Sequence, residues 1–259
     1  MPAPRSYRCE ALTLKRHPLG EADLLVTLYT RDRGKLRAMA KGARRPTSRL
    51  VGHLEPLTQV SLSLAQGRNL DFITQVQVVG NNSALKGDLK SIAKGLYVAE
   101  LLDGFGAEAS PNANLYHLAI ETLESVGLHP DSAWPLRYFE LQLLQHSGLM
   151  PELHCCVDCR KPLSPGQHRF SPDVGGTLCA DCNPSGARVR PLSLQALKVL
   201  RLLQRSRLAE IVSLRVSPPL AQELKTLLNT TVNYWLDKEI RSTAFLEHLQ
   251  RESRPEVYT

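Results

Sequence analysis

Four of the six cysteines in this chain fall into two pairs, Cys156-Val157-Asp158-Cys159 and Cys179-Ala180-Asp181-Cys182, with nineteen residues between Cys159 and Cys179. Two residues between thiolates let a tight turn aim both sulfurs at one tetrahedral ion, and two such knuckles close the coordination shell. The predicted chemistry is therefore structural: Cys156, Cys159, Cys179 and Cys182 hold one Zn2+ and leave no position for a substrate. Gly175-Gly176 lets the backbone turn sharply before the second pair, and Pro162, Pro165 and Pro172 argue against a long intervening helix. The segment reads as a zinc ribbon. Disulfides or redox-active thiols are the competing reading, which a cytosolic location disfavours. Cys155 could stand in for Cys156, but only Cys156 leaves two residues before Cys159. His154 is near enough to compete as a ligand, yet four thiolates already fill the shell. Cys9 reads as a small buried side chain. A catalytic zinc of the nucleobase-deaminase kind needs His-x-Glu and Pro-Cys-x-x-Cys. Here Glu152-Leu153-His154 runs in reverse order, and Cys156 follows a cysteine.

A second group points to polyanions. Arg31, Arg33, Lys35, Arg37, Lys41, Arg44, Arg45 and Arg49 share nineteen residues with one acid, Asp32. On a strand, positions 31, 33, 35 and 37 face the same way, and Gly42-Ala43-Arg44-Arg45-Pro46 adds a cationic loop. Residues 1–80 hold thirteen Lys/Arg against six Asp/Glu, whereas the rest holds nineteen of each (32 − 13 and 25 − 6). The net charge of +7 thus sits in the N-terminal third, as a localised nucleic-acid surface requires. A solvated charged face is the bland alternative. Tyr7, Tyr29 and Phe72 are the aromatics near this surface, so phosphate contact should dominate over stacking, with binding that is salt-sensitive and indifferent to sequence.

The elements that must position these groups come in two textures. Tyr7–Leu14, Asp23–Tyr29, Lys35–Ala40, Leu57–Leu64 and Leu70–Val79 read as strands, clearest in the alternation Val60-Ser61-Leu62-Ser63-Leu64. Five strands over residues 1–80 suggest a small closed barrel, an OB-fold or an SH3-like barrel. After Gly80 the apolar spacing turns helical. Leu85 through Leu102 reads as one amphipathic helix, Asn112–Gly127 as a second and Trp134–Gly148 as a third. Ser193 can cap a fourth, and Ser217-Pro218 can open a fifth through Trp235. Most of these leucines read as core. The predicted fold class is multidomain α+β: an OB-fold barrel at 1–80, a helical domain at 81–150 and 185–252, a four-cysteine zinc module at 151–184 and a loose tail at 253–259.

Composition excludes several classes. Hydrophobic content of 42% with 22% charged residues is that of a globular protein. No stretch of eighteen apolar residues could cross a bilayer, and the charged first thirty residues offer no export signal. A soluble cytoplasmic protein, associated with the nucleoid, is the expectation, with no membrane partner. An enzyme such as a nuclease would need clustered carboxylates or a nucleotide-binding loop, and neither stands out. A sequence-specific transcription regulator would carry its cations on a recognition helix, whereas here they lie on predicted strands and loops.

With barrel, basic strip and knuckles in place, the whole chain resembles the RecO family of bacterial recombination mediators. The resemblance is carried by Gly34-Lys35 through Ala40-Lys41-Gly42-Ala43-Arg44-Arg45-Pro46, and by Pro151-Glu152-Leu153 leading into the knuckles. Arg160 departs from the family, standing where glycine often follows the first knuckle. The resemblance implies an OB-fold, a helical domain and a zinc module. It implies binding of single- and double-stranded DNA, annealing of complementary strands, association with RecR, and loading of RecA onto DNA coated by single-strand-binding protein. It implies no catalytic residue. On this reading DNA crosses the face bearing Lys35, Arg37 and Lys41, and grooves lined by residues such as Leu96 and Leu143 receive protein partners.

Overall fold

A computed structural model describes residues 6–236 and 240–252, so the tail expected at 253–259 lies outside the described residues. The chain forms two compact units, Met1–Pro130 with Ile240–Thr259, and Asp131–Glu239.

The first unit is built on strands β1 (Ser6–Leu19), β2 (Asp23–Thr30), β3 (Gly34–Ala40), β4 (Gln59–Ala65) and β5 (Asp71–Gly80). They close a barrel in the order β1-β2-β3-β5-β4. All pairings are antiparallel except β3 with β5, where Ala38 faces Asp71 and Met39 faces Phe72. A plain meander cannot give this order; it is the Greek-key closure of an OB-fold. The alternation in β4 does what it predicts: Val60, Leu62 and Leu64 are buried in the barrel core with Cys9, Ala11 and Leu28. β1 runs five residues past the predicted Leu14. A bulge between Thr13 and Lys15 lets its first half pair with β4 and its second half with β2. Lys15-Arg16-His17 reads as loop because that half is mostly exposed.

A short turn of helix, α1 (Leu50–His53), precedes β4, and α2 (Ser83–Lys86), α3 (Leu89–Phe105) and α4 (Ala113–Leu128) follow the barrel. The single helix predicted through Leu85 and Leu102 is thus broken at Gly87-Asp88. Glycine weakens the helix there, and the Asp88 carboxylate accepts the Ser91 N–H at 2.8 Å to start α3 afresh. Asn112 caps α4 in the same way, accepting the Leu115 N–H at 3.0 Å.

The second unit holds α5 (Trp134–His146), α6 (Leu194–Arg205), α7 (Leu208–Ile211) and α8 (Pro218–Leu236), with a small sheet of β6 (His168–Ser171), β7 (Gly176–Leu178) and β8 (Arg190–Leu192) in the order β7-β6-β8. Ser193 caps α6 as expected, through a 3.0 Å bond from the Ala196 N–H. Helix α5 is buried around its circumference, so Leu143 is a core residue and lines no groove.

The last helix, α9 (Arg241–Glu252), packs on α3 in the first unit. The Glu100 carboxylate of α3 accepts the N–H groups of Arg241 at 2.9 Å and Ser242 at 2.8 Å. The helices anticipated as one domain at 81–150 and 185–252 are accordingly shared between two units. Apolar spacing marks which face of a helix is buried but not which core receives it.

Candidate metal centre and nucleic-acid interface

The two knuckles meet. The sulfurs of Cys156, Cys159, Cys179 and Cys182 all lie within 4.8 Å of one another, and Cys159 and Cys179 are 3.9 Å apart. A tetrahedron with metal–sulfur bonds of about 2.3 Å has edges near 3.8 Å, so the four donors fit a zinc-sized ion. Burial pushes the Cys156 thiol up, but N–H groups of Cys179, Cys159 and Asp158 directed at its sulfur outweigh this and leave it lowered to about 6. Cys182 is pushed up, foremost by its hydrogen bond with Cys179. Four neighbouring thiolates cannot all stay ionised unless positive charge sits between them.

Local backbone explains how the knuckles form. The Val157 N–H donates to Thr177 at 3.0 Å, tying the first knuckle to β7, and the Arg160 N–H closes the turn on Cys156 at 2.9 Å. The Glu152 carboxylate accepts the N–H groups of His154 at 2.7 Å and Cys155 at 3.1 Å. Gly176 is required where it stands, because a Cβ there would lie 2.6 Å from the Glu152 backbone. Cys155 forms a backbone bridge with Pro162 and stays out of the sulfur group. His154 contacts Gln204 at 3.2 Å. Sequence reasoning missed Arg169, whose guanidinium in β6 donates to the carbonyls of Ala180 at 2.7 Å and Cys182 at 2.5 Å and to the Asn183 side chain at 3.2 Å. It holds the second knuckle by its backbone, and no spacing rule marks it.

The basic strip divides. Arg31 and Arg33 lie in the β2–β3 turn, beyond the end of the strand. Lys35 and Arg37 do share a face of β3, opposite Tyr29 and Thr27 of β2. That face is occupied by the end of α3 and the segment after it. The Lys35 backbone N–H donates to Ala107 at 3.0 Å, and its ammonium reaches the Asp103 carbonyl at 2.6 Å and the Asp103 carboxylate at 3.7 Å. Arg37 pairs with Glu108 at 2.9 Å, and Arg31 sits 3.8 Å from Glu10. Gly34 admits this segment: a Cβ there would lie 2.2 Å from the Ser110 carbonyl.

The other cations have no carboxylate within ion-pair reach among the described residues. Arg33 stacks 3.9 Å above the Tyr7 ring, and Lys41 lies 4.5 Å above Phe72. Arg44 is held over the β1–β2 turn by the carbonyls of Gly20 and Glu21, both at 3.2 Å. Arg45 and Arg49 are exposed beside it in sequence, as is Arg68 in the β4–β5 turn. Between the β2–β3 and β4–β5 turns runs a cleft of about 420 Å³ whose lining includes Tyr7, Arg33, Arg37 and Asn69. The Tyr7 hydroxyl donates to Asp71. Burial, then that bond, pushes the Tyr7 phenol well above its ordinary value, so the ring stays neutral as a platform for Arg33.

Comparison with known proteins covers both parts of the chain. The family model described as Recombination protein O N terminal matches residues 4–82, and that described as Recombination protein O C terminal matches residues 86–244. The chain is 35% identical over 247 residues to the DNA repair protein RecO of Desulforamulus reducens, covering 95% of this chain and 96% of that one. It is 38% identical over 250 residues to the DNA repair protein RecO of a Roseiflexus species, covering 96% and 88%. The DNA repair protein RecO of Dehalococcoides mccartyi is 32% identical over 251 residues, covering 97% and 99%.

Proposed function

The chain belongs to the RecO family of DNA repair proteins, and from that premise we propose that it binds single- and double-stranded DNA on its barrel and anneals complementary strands without a catalytic residue. One observation carries the reading: among the described residues, Arg33, Lys41, Arg44, Arg45, Arg49 and Arg68 have no carboxylate within ion-pair reach on a closed OB barrel, with Tyr7 and Phe72 beneath two of them. The turns after β1 and β4 are among the places where OB-folds take up oligonucleotides, and Arg44 and Arg68 lie at them. Phosphates that settle on these cations release their counterions, which supplies affinity, and two like-charged strands can then approach while base pairing supplies the free energy of annealing. Lys35 and Arg37 brace the barrel against the segment after α3 and leave the DNA to their neighbours. Arg31, paired with Glu10, contributes weakly.

The group of four cysteines is assigned one structural Zn2+. Bound there, it would fix the two knuckles and supply folding free energy to the second unit. The partners expected of the family, RecR, RecA-loading activity and single-strand-binding protein, are carried over on family membership alone. Annealing of complementary oligonucleotides tests the core of the reading. Lys41→Ala/Arg44→Ala/Arg45→Ala should slow annealing strongly at moderate salt, and an unchanged rate would overturn it.

A further inference from the structure

We propose that the second unit carries its own site for one nucleotide of single-stranded DNA, in the cleft between the loop after β6 and helix α8. The cleft, about 430 Å³ in volume, is lined by Asp173, Arg188, Arg190, Asn233 and Tyr234 among others. This goes beyond the barrel reading and does not rest on it.

Three kinds of group converge there. The first is cationic: Arg188 is 81% exposed along its side chain although its N–H is anchored to the Asp173 carboxylate at 2.7 Å, and Arg190 is exposed beside it. The same carboxylate lies 3.7 Å from the Arg188 Nε, an ion pair exposed enough to be weak, so the guanidinium can turn to meet a phosphate. The second is aromatic. Tyr234 is 36% exposed and the adjacent Trp235 40% exposed, the two rings meeting edge to face at 5.2 Å, and the Arg188 guanidinium lies 5.9 Å from the Tyr234 ring. Tyr234 lines the cleft and offers it a π-face. The third is a pair of oxygens. Asp173 Oδ1 and Asn233 Oδ1 are screened from water and have no hydrogen-bond partner among the described residues.

Two screened acceptors in one cleft suit a ligand that brings N–H groups. A lone phosphate has none, and a hydrocarbon has neither charge nor donors. A nucleotide has all three complements: a phosphate for Arg188 and Arg190, a π-face for Tyr234, and an exocyclic amino group for the two oxygens. Cytosine, adenine and guanine carry that amino group on their pairing edges, whereas thymine offers one ring N–H. The cleft should therefore prefer unpaired amino-bearing bases.

The test uses the full chain and short homopolymeric deoxycytidine and thymidine oligonucleotides. The readout is the part of the tryptophan emission that disappears in Trp235→Phe. To silence the barrel, the background carries Lys41→Ala/Arg44→Ala/Arg45→Ala, and thermal melting confirms that each variant is folded. Oligodeoxycytidine should quench Trp235 at lower concentration than oligothymidine. Arg188→Glu/Arg190→Glu and Tyr234→Ala should each raise the half-quenching concentration by about tenfold, the usual effect of losing one stacked base or its phosphate clamp. Trp235 emission that ignores saturating oligonucleotide, or quenching untouched by the arginine reversal, overturns the site. Equal response to cytidine and thymidine overturns the role given to the two oxygens. The barrel reading stands or falls on the salt dependence of overall affinity, so failure of one cannot be mistaken for failure of the other.

Discussion

Replacing Lys41, Arg44 and Arg45 with alanine, in parallel with replacing Lys35 and Arg37, separates two uses of positive charge on one barrel. Each phosphate that a cation neutralises on a single strand contributes about 0.7 to the slope of log affinity against log salt. Losing three such contacts should lower the slope by about 2, and at about 0.15 M salt it should weaken binding by about 2.4 kcal/mol, roughly fiftyfold. Lys35 and Arg37 already face Asp103 and Glu108. Their removal should leave the slope unchanged and instead lower stability by about 1 kcal/mol, since the Arg37 pair is half exposed and worth little and the Lys35 pair is only partly screened. Fluorescence anisotropy with a labelled oligonucleotide at several salt concentrations gives the slopes, and urea melts give the stabilities. A double variant at 35 and 37 that loses slope as the triple variant does would refute the division of the strip.

Other consequences can be checked singly. Metal analysis should find one zinc per chain, lost in Cys159→Ser, and chelation should lower the melting temperature while salt-dependent DNA affinity persists. Arg169→Ala should keep the four thiolates but retain zinc about 10- to 100-fold more weakly in a chelator competition, because the second knuckle loses its brace. Asp88→Ala should cost about 1 kcal/mol by uncapping α3. The Ser91 hydroxyl, then its N–H, holds the Asp88 carboxyl below its ordinary value. That contribution is complete above the unfolded carboxyl's pKa and is lost as pH falls through the lower folded value, so acid melts should show wild type and Asp88→Ala converging. Arg160 sits at φ +63°, a left-handed conformation that suits glycine. Arg160→Gly should stabilise the knuckle by about 1 kcal/mol in the same melts.

What could be read from residues alone followed the range of the interactions involved. The β4 alternation and the Cys-x-x-Cys spacings are local, and both appear in the structure as anticipated. The Asp88 cap is local too, but a leucine stripe running across it concealed the break. The fate of the basic strip was not legible, because the carboxylate that meets Lys35 lies 68 positions along the chain. Period-two spacing put Lys35 and Arg37 on one face correctly without showing that the face was covered. The same holds for Arg169, whose partners come from the far side of the second knuckle, and for α9, whose cap is a glutamate in another helix.

The bond from the Arg241 N–H to the Glu100 carboxylate spans 141 positions, and everything from Asp131 to Glu239 belongs to the other unit. During synthesis the interior unit therefore has all its residues before the outer one is finished, and α3 must wait with one flank bare until α9 arrives. Until α9 is made, the barrel unit stays open to chaperones even after the zinc module has been synthesised. Truncations that trim only the last helix should accordingly damage the N-terminal unit, at the opposite end of the gene from the cut.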